Sequence, residues 1–240
     1  MTRWTLAALL LLCAAQASAL DTFEPYPQGL RAAEVYAIRA GAGLGDPALR
    51  AFGAVTGVAV GLGVRSHAYG FTGISSNDKH EGGVDFLNLG YFQNLIDTEA
   101  LDIDAWLELT ALGEGLGASQ RGIGVEVNYD GPRGGLFWRP IQHWERDGDT
   151  DTIGRRREYH YGVYGNVGPK AQVLAELVQE SVSGFETLPD DRRTASWAFG
   201  FNRALNETTE LILEARAVEP PDGSGLDRSW DFTVGWVVVW

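Results

Sequence analysis

The sequence has 240 residues, of which 31 are glycine and one is cysteine, and its formal net charge is −13. A single cysteine excludes a disulfide-stapled scaffold, and a hydrophobic content of 45% excludes a disordered chain. The acidic balance argues against a nucleic-acid-binding protein, because such proteins present a basic surface to the phosphate backbone.

The first predicted element is a secretory signal peptide over residues 1–19. Arg3 supplies a short positive region, Leu6–Ala15 is apolar, and Ala17-Ser18-Ala19 is a cleavage site of the small-x-small type. An N-terminal membrane anchor is the alternative, but an apolar stretch of about 10 residues is too short to cross a bilayer as a helix. We therefore expect an exported protein of a Gram-negative envelope, with residues 20–240 forming one domain that has no cysteine.

Strands follow, because apolar and polar residues alternate repeatedly with a period of two. Most of these segments are longer than the usual 5–6 residues of soluble strands, and they reach the length of about 9–11 residues that a tilted membrane-spanning strand needs. The roughly twelve predicted strands are Leu30–Ala40, Leu49–Val55, Val58–Gly70, Gly83–Leu95, Leu101–Ala111, Gln120–Tyr129, Gly134–Arg146, Arg156–Asn166, Lys170–Ser183, Arg193–Arg203, Thr208–Val218 and Ser229–Trp240.

The predicted connections alternate between short and long along the chain. The short ones are Thr56-Gly57, Ile96–Ala100, Asp130–Arg133, Val167–Pro169 and Leu205–Glu207. The long ones are Gly41–Ala48, Phe71–Gly82, Leu112–Ser119, Asp147–Arg155, Gly184–Arg192 and Glu219–Arg228. Outer-membrane barrels have short periplasmic turns and longer outer loops. The fold class is therefore all-β, a single antiparallel up-and-down transmembrane β-barrel with periplasmic termini; a soluble β-sandwich or lipocalin-like barrel is the alternative.

One face of each strand is predicted to meet lipid. The uncharged outward set comprises Val58, Val60, Leu62, Val64, Leu101, Ile103, Ala105, Leu107, Leu109, Ile123, Val125, Val127, Ala195, Trp197, Phe199, Phe201, Leu211, Leu213, Ala215 and Ala217. Aromatic residues near strand ends suit the two interfacial belts of a membrane barrel. Glycines within the strands allow a closed sheet to curve and leave room in the lumen.

The opposite face of the strands is predicted to line an acid-rich, partly aromatic lumen. The polar residues assigned to it are Glu108, Glu126, Arg139, His160, Glu176, Glu214 and Arg216, and the aromatic ones are Trp106, Phe137 and Tyr164. These side chains form either a selectivity constriction or salt bridges that fill a small barrel. Any aqueous path through them should favour cations, because the chain is acidic.

Several segments resemble a known family. The strand–turn–strand pattern Phe52–Val64, the segment Arg203–Leu211 and the ending Ser229–Trp240 are similar to those of outer-membrane barrels of the phenol-degradation meta-pathway (MetA-type) transporter family. This resemblance implies a channel for the uptake of small, often aromatic or hydrophobic, molecules. It supplies no catalytic residues.

The last strand resembles the general assembly signal of outer-membrane barrels. Apolar residues occupy every second position up to a terminal aromatic, and the residues concerned are Phe232, Val234, Trp236, Val238 and Trp240. The expected partners are the barrel-assembly machinery, outer-membrane lipid and lipopolysaccharide, together with a small-molecule solute.

A hydrolase site and a calcium site are two less favoured interpretations of the sequence. For a hydrolase, Ser66 and His67 are adjacent and would point to opposite faces of a strand, so they cannot form a nucleophile–base pair. Ser119 and His143 could form such a pair only if the fold happened to bring them together. Asp147, Asp149 and Asp151, with Glu158 eleven residues after the first, have the spacing of a calcium loop, but Thr152 stands where that loop needs glycine. An acidic loop that pairs with Arg155-Arg156-Arg157 is favoured over a metal site, and those arginines are alternatively contacts for lipopolysaccharide phosphates.

The sequence therefore predicts a porin-like transporter of the outer membrane, without a cofactor, that passes a small solute passively. Hydrophobic or aromatic solutes are the favoured class. A structural or adhesive barrel with a plugged lumen is the alternative, and an outer-membrane lipid hydrolase is a less favoured one.

Overall fold

The computed structural model describes residues 29–45, 50–79, 82–112, 118–146, 152–185, 192–220 and 227–240. The predicted signal peptide and the acidic triplet Asp147, Asp149 and Asp151 lie outside the described residues. No helix among the described residues is long and apolar enough to cross a membrane.

The described structure contains twelve strands, which is the number predicted from the alternation of apolar and polar residues. Their bounds are β1 (Arg31–Ala42), β2 (Ala51–Gly63), β3 (Ser66–Asn77), β4 (Gly82–Asp97), β5 (Leu101–Leu112), β6 (Ala118–Gly131), β7 (Gly134–Arg146), β8 (Ile153–Asn166), β9 (Ala171–Ser183), β10 (Arg192–Ala204), β11 (Thr209–Val218) and β12 (Ser229–Val239).

The sheet closes on itself. Every strand pairs antiparallel with its neighbours in the chain, and β1 pairs with β12. Following the paired residues once around the barrel returns to β1 about 14 residues further along, which is the stagger that tilted strands need for closure. The predicted antiparallel up-and-down barrel is confirmed.

The outer surface of the barrel is apolar. On β10, for example, the Phe199 side chain is 54% exposed, whereas its neighbour Ala198 is completely buried. The same alternation holds on β5, where Leu107 and Leu109 are exposed and Trp106 is buried. Large apolar side chains that face outward all around a closed sheet require lipid rather than water as their surroundings.

The two ends of the barrel differ in their connections. One end, which we call the turn end, has the short connections. The β1–β12 seam begins there, where the backbones of Arg31 and Trp240 exchange two hydrogen bonds of 2.9 Å. Asn206 illustrates how a short turn is held, because its side-chain Oδ1 accepts hydrogen bonds from the backbone N–H and the hydroxyl of Thr208. The opposite end, which we call the loop end, has the other six connections.

Two of the predicted connections are wrong. Thr56-Gly57 was expected to be a turn, but both residues lie inside β2, and Val64 and Arg65 form the turn to β3. Gly57 stands opposite Phe71, and a Cβ atom there would overlap the Phe71 ring, so this glycine serves a close contact rather than a turn. Most of the predicted loop Phe71–Gly82 is also strand, because β3 continues to Asn77.

Candidate functional site

The candidate site is the lumen, and the structure places all ten predicted lumen residues at inward positions of their strands. Eight are buried and two are half-buried, with Glu108 and Tyr164 as the latter. The buried ones are Trp106, Glu126, Phe137, Arg139, His160, Glu176, Glu214 and Arg216.

Acidic and basic side chains alternate across one side of the lumen. Glu108 Oε1 lies 3.3 Å from His143 Nδ1, and His143 Nε2 lies 3.5 Å from Glu158 Oε1. The second Glu158 oxygen lies 3.3 Å from His160 Nε2. Strands β5, β7 and β8 thus supply four side chains in an unbroken run of contacts.

The same run continues onto β9 and β11. His160 Nδ1 lies 2.8 Å from Glu176 Oε1, and Arg216 Nη2 lies 3.7 Å from Glu176 Oε2. Arg216 Nε then donates a 3.0 Å hydrogen bond to Glu214 Oε1. We call these seven residues, from Glu108 to Glu214, the charge ladder; every carboxylate in it touches a basic group, as burial of charge demands.

A second buried ion pair lies beside the charge ladder. Arg139 Nε donates a hydrogen bond to Glu126, and the Asn128 amide donates to the other Glu126 oxygen at 2.8 Å. Arg139 is directly opposite His160 in the pairing of β7 with β8, so this pair adjoins the charge ladder. Arg156 lies two residues before Glu158 on the same face of β8, and its Nη2 donates a 3.0 Å hydrogen bond to Glu145 Oε2.

The facing side of the lumen is largely apolar, with Asn88 as a buried polar exception. A buried apolar cluster there continues onto Leu112 of β5, Ile212 of β11 and Val237 of β12. We call its five members from β1 to β4, which are Tyr36, Ile38, Val55, Phe86 and Phe71, the apolar wall. They come from β1 to β4, whereas the charge ladder comes from β5 to β11. The lumen is therefore two-sided.

Aromatic rings continue the apolar wall along β3 and β4. His67, Tyr69 and Phe71 occupy successive inward positions of β3, with ring centroids 6.0 Å and 5.7 Å apart. The His67 ring also stacks on Phe92 of β4 at 4.6 Å. These rings form a continuous surface from the turn end toward the middle of the barrel.

Glycines opposite the rings keep them close to the barrel wall. Trp106 stands opposite Gly124, and a Cβ atom on that glycine would overlap the indole. Five more inward rings cover a glycine on the neighbouring strand in the same way, and the pairs are Phe71 with Gly57, Phe86 with Gly73, Tyr69 with Gly90, Phe137 with Gly162 and Tyr36 with Gly235. Each ring lies flat over the glycine of the neighbouring strand, in the space that a side chain at that position would fill, and therefore does not project into the lumen.

The geometry does not assemble the hydrolase pairs considered from the sequence. Ser119 is exposed and outward on β6, whereas His143 is buried and inward on β7, so the two side chains lie on opposite faces of the sheet. Ser66 and His67 are consecutive strand residues, and the His67 ring stacks on Phe92.

A calcium loop is not supported by the residues that the structure describes. Glu158, which would close such a loop, is buried between His143 and His160. Among the described residues, no group of three His, Cys, Asp or Glu side chains is arranged to hold a metal ion.

Sequence reasoning missed the apolar wall and two members of the polar lumen. Arg156 was assigned to an arginine run at a loop boundary, although it lies two residues before Glu158 and so shares its face. Asn94 of β4 was the other missed residue, and its amide donates a buried hydrogen bond of 2.9 Å to the inward Asp104 near the turn end.

Comparisons with known proteins bear on the fold. No protein-family model and no curated protein matches the chain. Among solved structures, the barrel is similar to an outer membrane channel from Pseudomonas putida F1, with a TM-score of 0.71 and 12% identity over 91% of this chain and 98% of that chain. It is also similar to the NanC porin, with a TM-score of 0.65 and 10% identity over 86% of this chain and 98% of that chain.

A third similar structure is the KdgM porin in complex with disordered oligogalacturonate, with a TM-score of 0.61 and 6% identity over 86% of this chain and 98% of that chain. These likenesses and the apolar outer surface define the fold as a membrane-spanning β-barrel of the outer-membrane type. The resemblance to the phenol-degradation (MetA-type) transporter family stays a prediction, since no family model matches.

Proposed function

We propose that the barrel is a channel for the passive passage of small solutes with hydrophobic or aromatic surface. The two-sided lumen carries this proposal: the apolar wall offers a surface for a ring or alkyl group, and the charge ladder stands opposite it. Ligand sites commonly combine a mostly apolar lining with a few fixed polar groups that orient the ligand. The solved channels of the same fold support a channel over an enzyme.

Cations should pass more readily than anions. Among the described residues, the buried lumen side chains include six carboxylates (Asp104, Glu126, Glu158, Glu176, Glu214 and Asp231), against three arginines (Arg139, Arg156 and Arg216) and the two histidines of the charge ladder (His143 and His160). Rings of carboxylates select cations in other pores because they stabilise positive charge and repel negative charge. We therefore propose aromatic or apolar amines and neutral aromatic molecules as the solutes that pass best.

The test is reconstitution of the refolded barrel in planar bilayers and in liposomes. We expect a single-channel conductance, a reversal potential in a KCl gradient that shows cation selectivity, and faster flux of benzylammonium than of benzoate. Glu108→Gln should reduce the cation selectivity, because Glu108 is the half-buried member of the charge ladder. Glu207→Gln, which changes an exposed turn residue, is the matched control and should leave it unchanged.

A plugged structural barrel is the second candidate, and one observation favours it. His160 and Glu176 of the charge ladder, and Glu126 of the ion pair beside it, are completely buried, so these side chains fill their side of the lumen. Absence of both conductance and solute flux in correctly folded barrels would replace the channel proposal with this one.

We also propose that the outward residues of β12 are the signal for the barrel-assembly machinery. Phe232, Trp236, Val238 and Trp240 are exposed on the outer surface, and Val234 lies between them on the same face. Their side chains are therefore accessible to a partner on the lipid side of the seam strand.

A further inference from the structure

Four exposed arginines lie on the outer surface of β6, β8 and β10, close to the loop end. Arg121 stands across Trp144 from Arg155 in the pairing of three neighbouring strands. Arg157 stands across Ser181 from Arg193 one step along the barrel. We call these four residues, Arg121, Arg155, Arg157 and Arg193, the arginine rim.

Carboxylates of β7 and β8 near the arginine rim face the other way. Glu158 is buried in the lumen, and Glu145 bonds to the inward Arg156. Within the described residues, no member of the arginine rim forms a salt bridge. Arg157 Nε donates a 3.0 Å hydrogen bond to the amide oxygen of Gln142. In a chain of net charge −13, this outward surface is thus locally positive.

The arginine rim lies at the level where lipid headgroups begin. Two aromatic side chains of the outer surface, Trp144 and Tyr159, are 40% and 37% exposed beside it, and such aromatics mark the membrane interface. An outward arginine costs about 2–4 kcal/mol at the bilayer midplane and about 0–1 kcal/mol near the interface. Four of them together place this band of the barrel in the headgroup region.

A groove runs over the outer face at this level. Its volume is about 780 Å³, and Arg157, Tyr159, Gln179 and Arg193 are among the residues that line it. Glu180 and Glu219 also line the groove, and the Glu219 carboxylate pairs with Arg228. The groove therefore offers two guanidinium groups, a phenol and an amide side by side, which are donors suited to phosphate oxygens.

We propose that the arginine rim and this groove bind the phosphate groups of an outer-leaflet lipid headgroup, of the phosphorylated glucosamine type found in lipopolysaccharide. Arginine binds phosphate through paired, charge-assisted hydrogen bonds. Exposed aromatic side chains of the same strands, Tyr161 and Trp197, lie four positions further from the loop end than Arg157 and Arg193, so the acyl chains of the same molecule would lie against them. A lipid is thus favoured over a free anion, which has no apolar part to place there.

The test is native mass spectrometry of the refolded barrel, titrated with diphosphoryl lipid A in detergent. The rim variant is Arg157→Gln with Arg193→Gln, and the matched control is Arg133→Gln with Arg203→Gln, two exposed arginines at or near the turn end. Both double variants remove the same charge. We expect the rim variant to bind lipid A at least about tenfold more weakly, since each charge-assisted hydrogen bond contributes roughly that factor, and the control to stay within about twofold of the wild type.

A second measurement uses the unaltered protein. Dephosphorylated lipid A should bind at least about tenfold more weakly than the diphosphoryl form, and inorganic phosphate in large excess should not displace lipid A. Equal weakening in both double variants, equal binding of the dephosphorylated lipid, or displacement by inorganic phosphate would each overturn the proposal. Heat-dependent gel mobility establishes that every variant compared is a folded barrel.

Discussion

Removing Arg139 should destabilise the barrel strongly. Arg139 and its partner Glu126 have side-chain exposures of 1% and 0%. Arg139→Met therefore leaves a buried carboxylate that keeps the hydrogen bond from the Asn128 amide but has lost its arginine. Loss of one member of a buried ion pair costs about 3–5 kcal/mol, chiefly because the other charge stays in a poorly solvated place. We expect the free energy of unfolding to fall by about that amount.

Adding Glu126→Gln should recover much of the loss. The glutamine removes the stranded charge and keeps an oxygen that accepts the Asn128 amide, so the double variant should be more stable than Arg139→Met alone by about 1–3 kcal/mol. The assay is urea unfolding of the four proteins in the same detergent, analysed as a double-mutant cycle. Arg39→Gln is the control: its ion pair with Asp78 is partly exposed, and its loss should cost no more than about 1 kcal/mol. Two single-variant effects that simply add, to within about 0.5 kcal/mol, would show that Arg139 does not compensate the Glu126 charge.

Two further predictions concern the walls of the barrel and its seam. Gly124→Ala should displace the Trp106 ring from its position over β6, lower the free energy of unfolding by about 1–3 kcal/mol and reduce the conductance. Gly165→Ala is the control and should have none of these effects, because its Cβ would have no neighbour closer than 3.9 Å. Tryptophan fluorescence, unfolding and bilayer recordings measure the effects of both variants. Trp240→Ala should lower the amount of heat-modifiable barrel in the cell envelope, while the purified protein should still refold in detergent, because the seam hydrogen bonds between Arg31 and residue 240 use only the backbone. Equal failure to fold in cells and in detergent would contradict a role of Trp240 as an assembly signal.

The strand alternation made the barrel and its lipid-facing side predictable. A strand with one wholly apolar face has to bury that face in a core or in lipid, and the length of the strands favoured lipid. Inward positions followed from the same alternation, since adjacent strand residues point to opposite faces. Trp106, Arg139 and His160 could therefore be placed inward from their own strands alone.

Contacts between strands were beyond such reasoning. The charge ladder depends on the register of the six successive strand pairings from β5 to β11. A shift by one residue in any of them would move every side chain of that strand to the other face. Glu158 contacts His143 of β7 because the register of β7 with β8 places Arg156 opposite His143 and Glu158 one inward position further along. The alternation of β8 alone does not specify this contact.

Glycine was the misleading signal at β2 and β3. Thr56-Gly57 has the composition of a turn, and the stretch after Gly70 has that of a loop, but Gly57 and Gly73 are in fact covered by the rings of Phe71 and Phe86. The partner that explains each glycine lies on another strand, 13 or 14 positions away. The actual turn at Val64 and Arg65 contains no glycine or proline, so composition offered nothing to mark it.

The seam between β1 and β12 has a consequence for the order of folding. Every other pairing in the barrel joins consecutive strands, and its ends are held together by a connection of about a dozen residues or fewer, whereas the seam joins residues such as Ala32 and Val239 from opposite ends of the described chain. Closing so long a loop costs more conformational entropy than closing any hairpin. The hairpins should therefore form first as an open, curved sheet, with two unpaired edges that invite pairing with other chains until β1 meets β12.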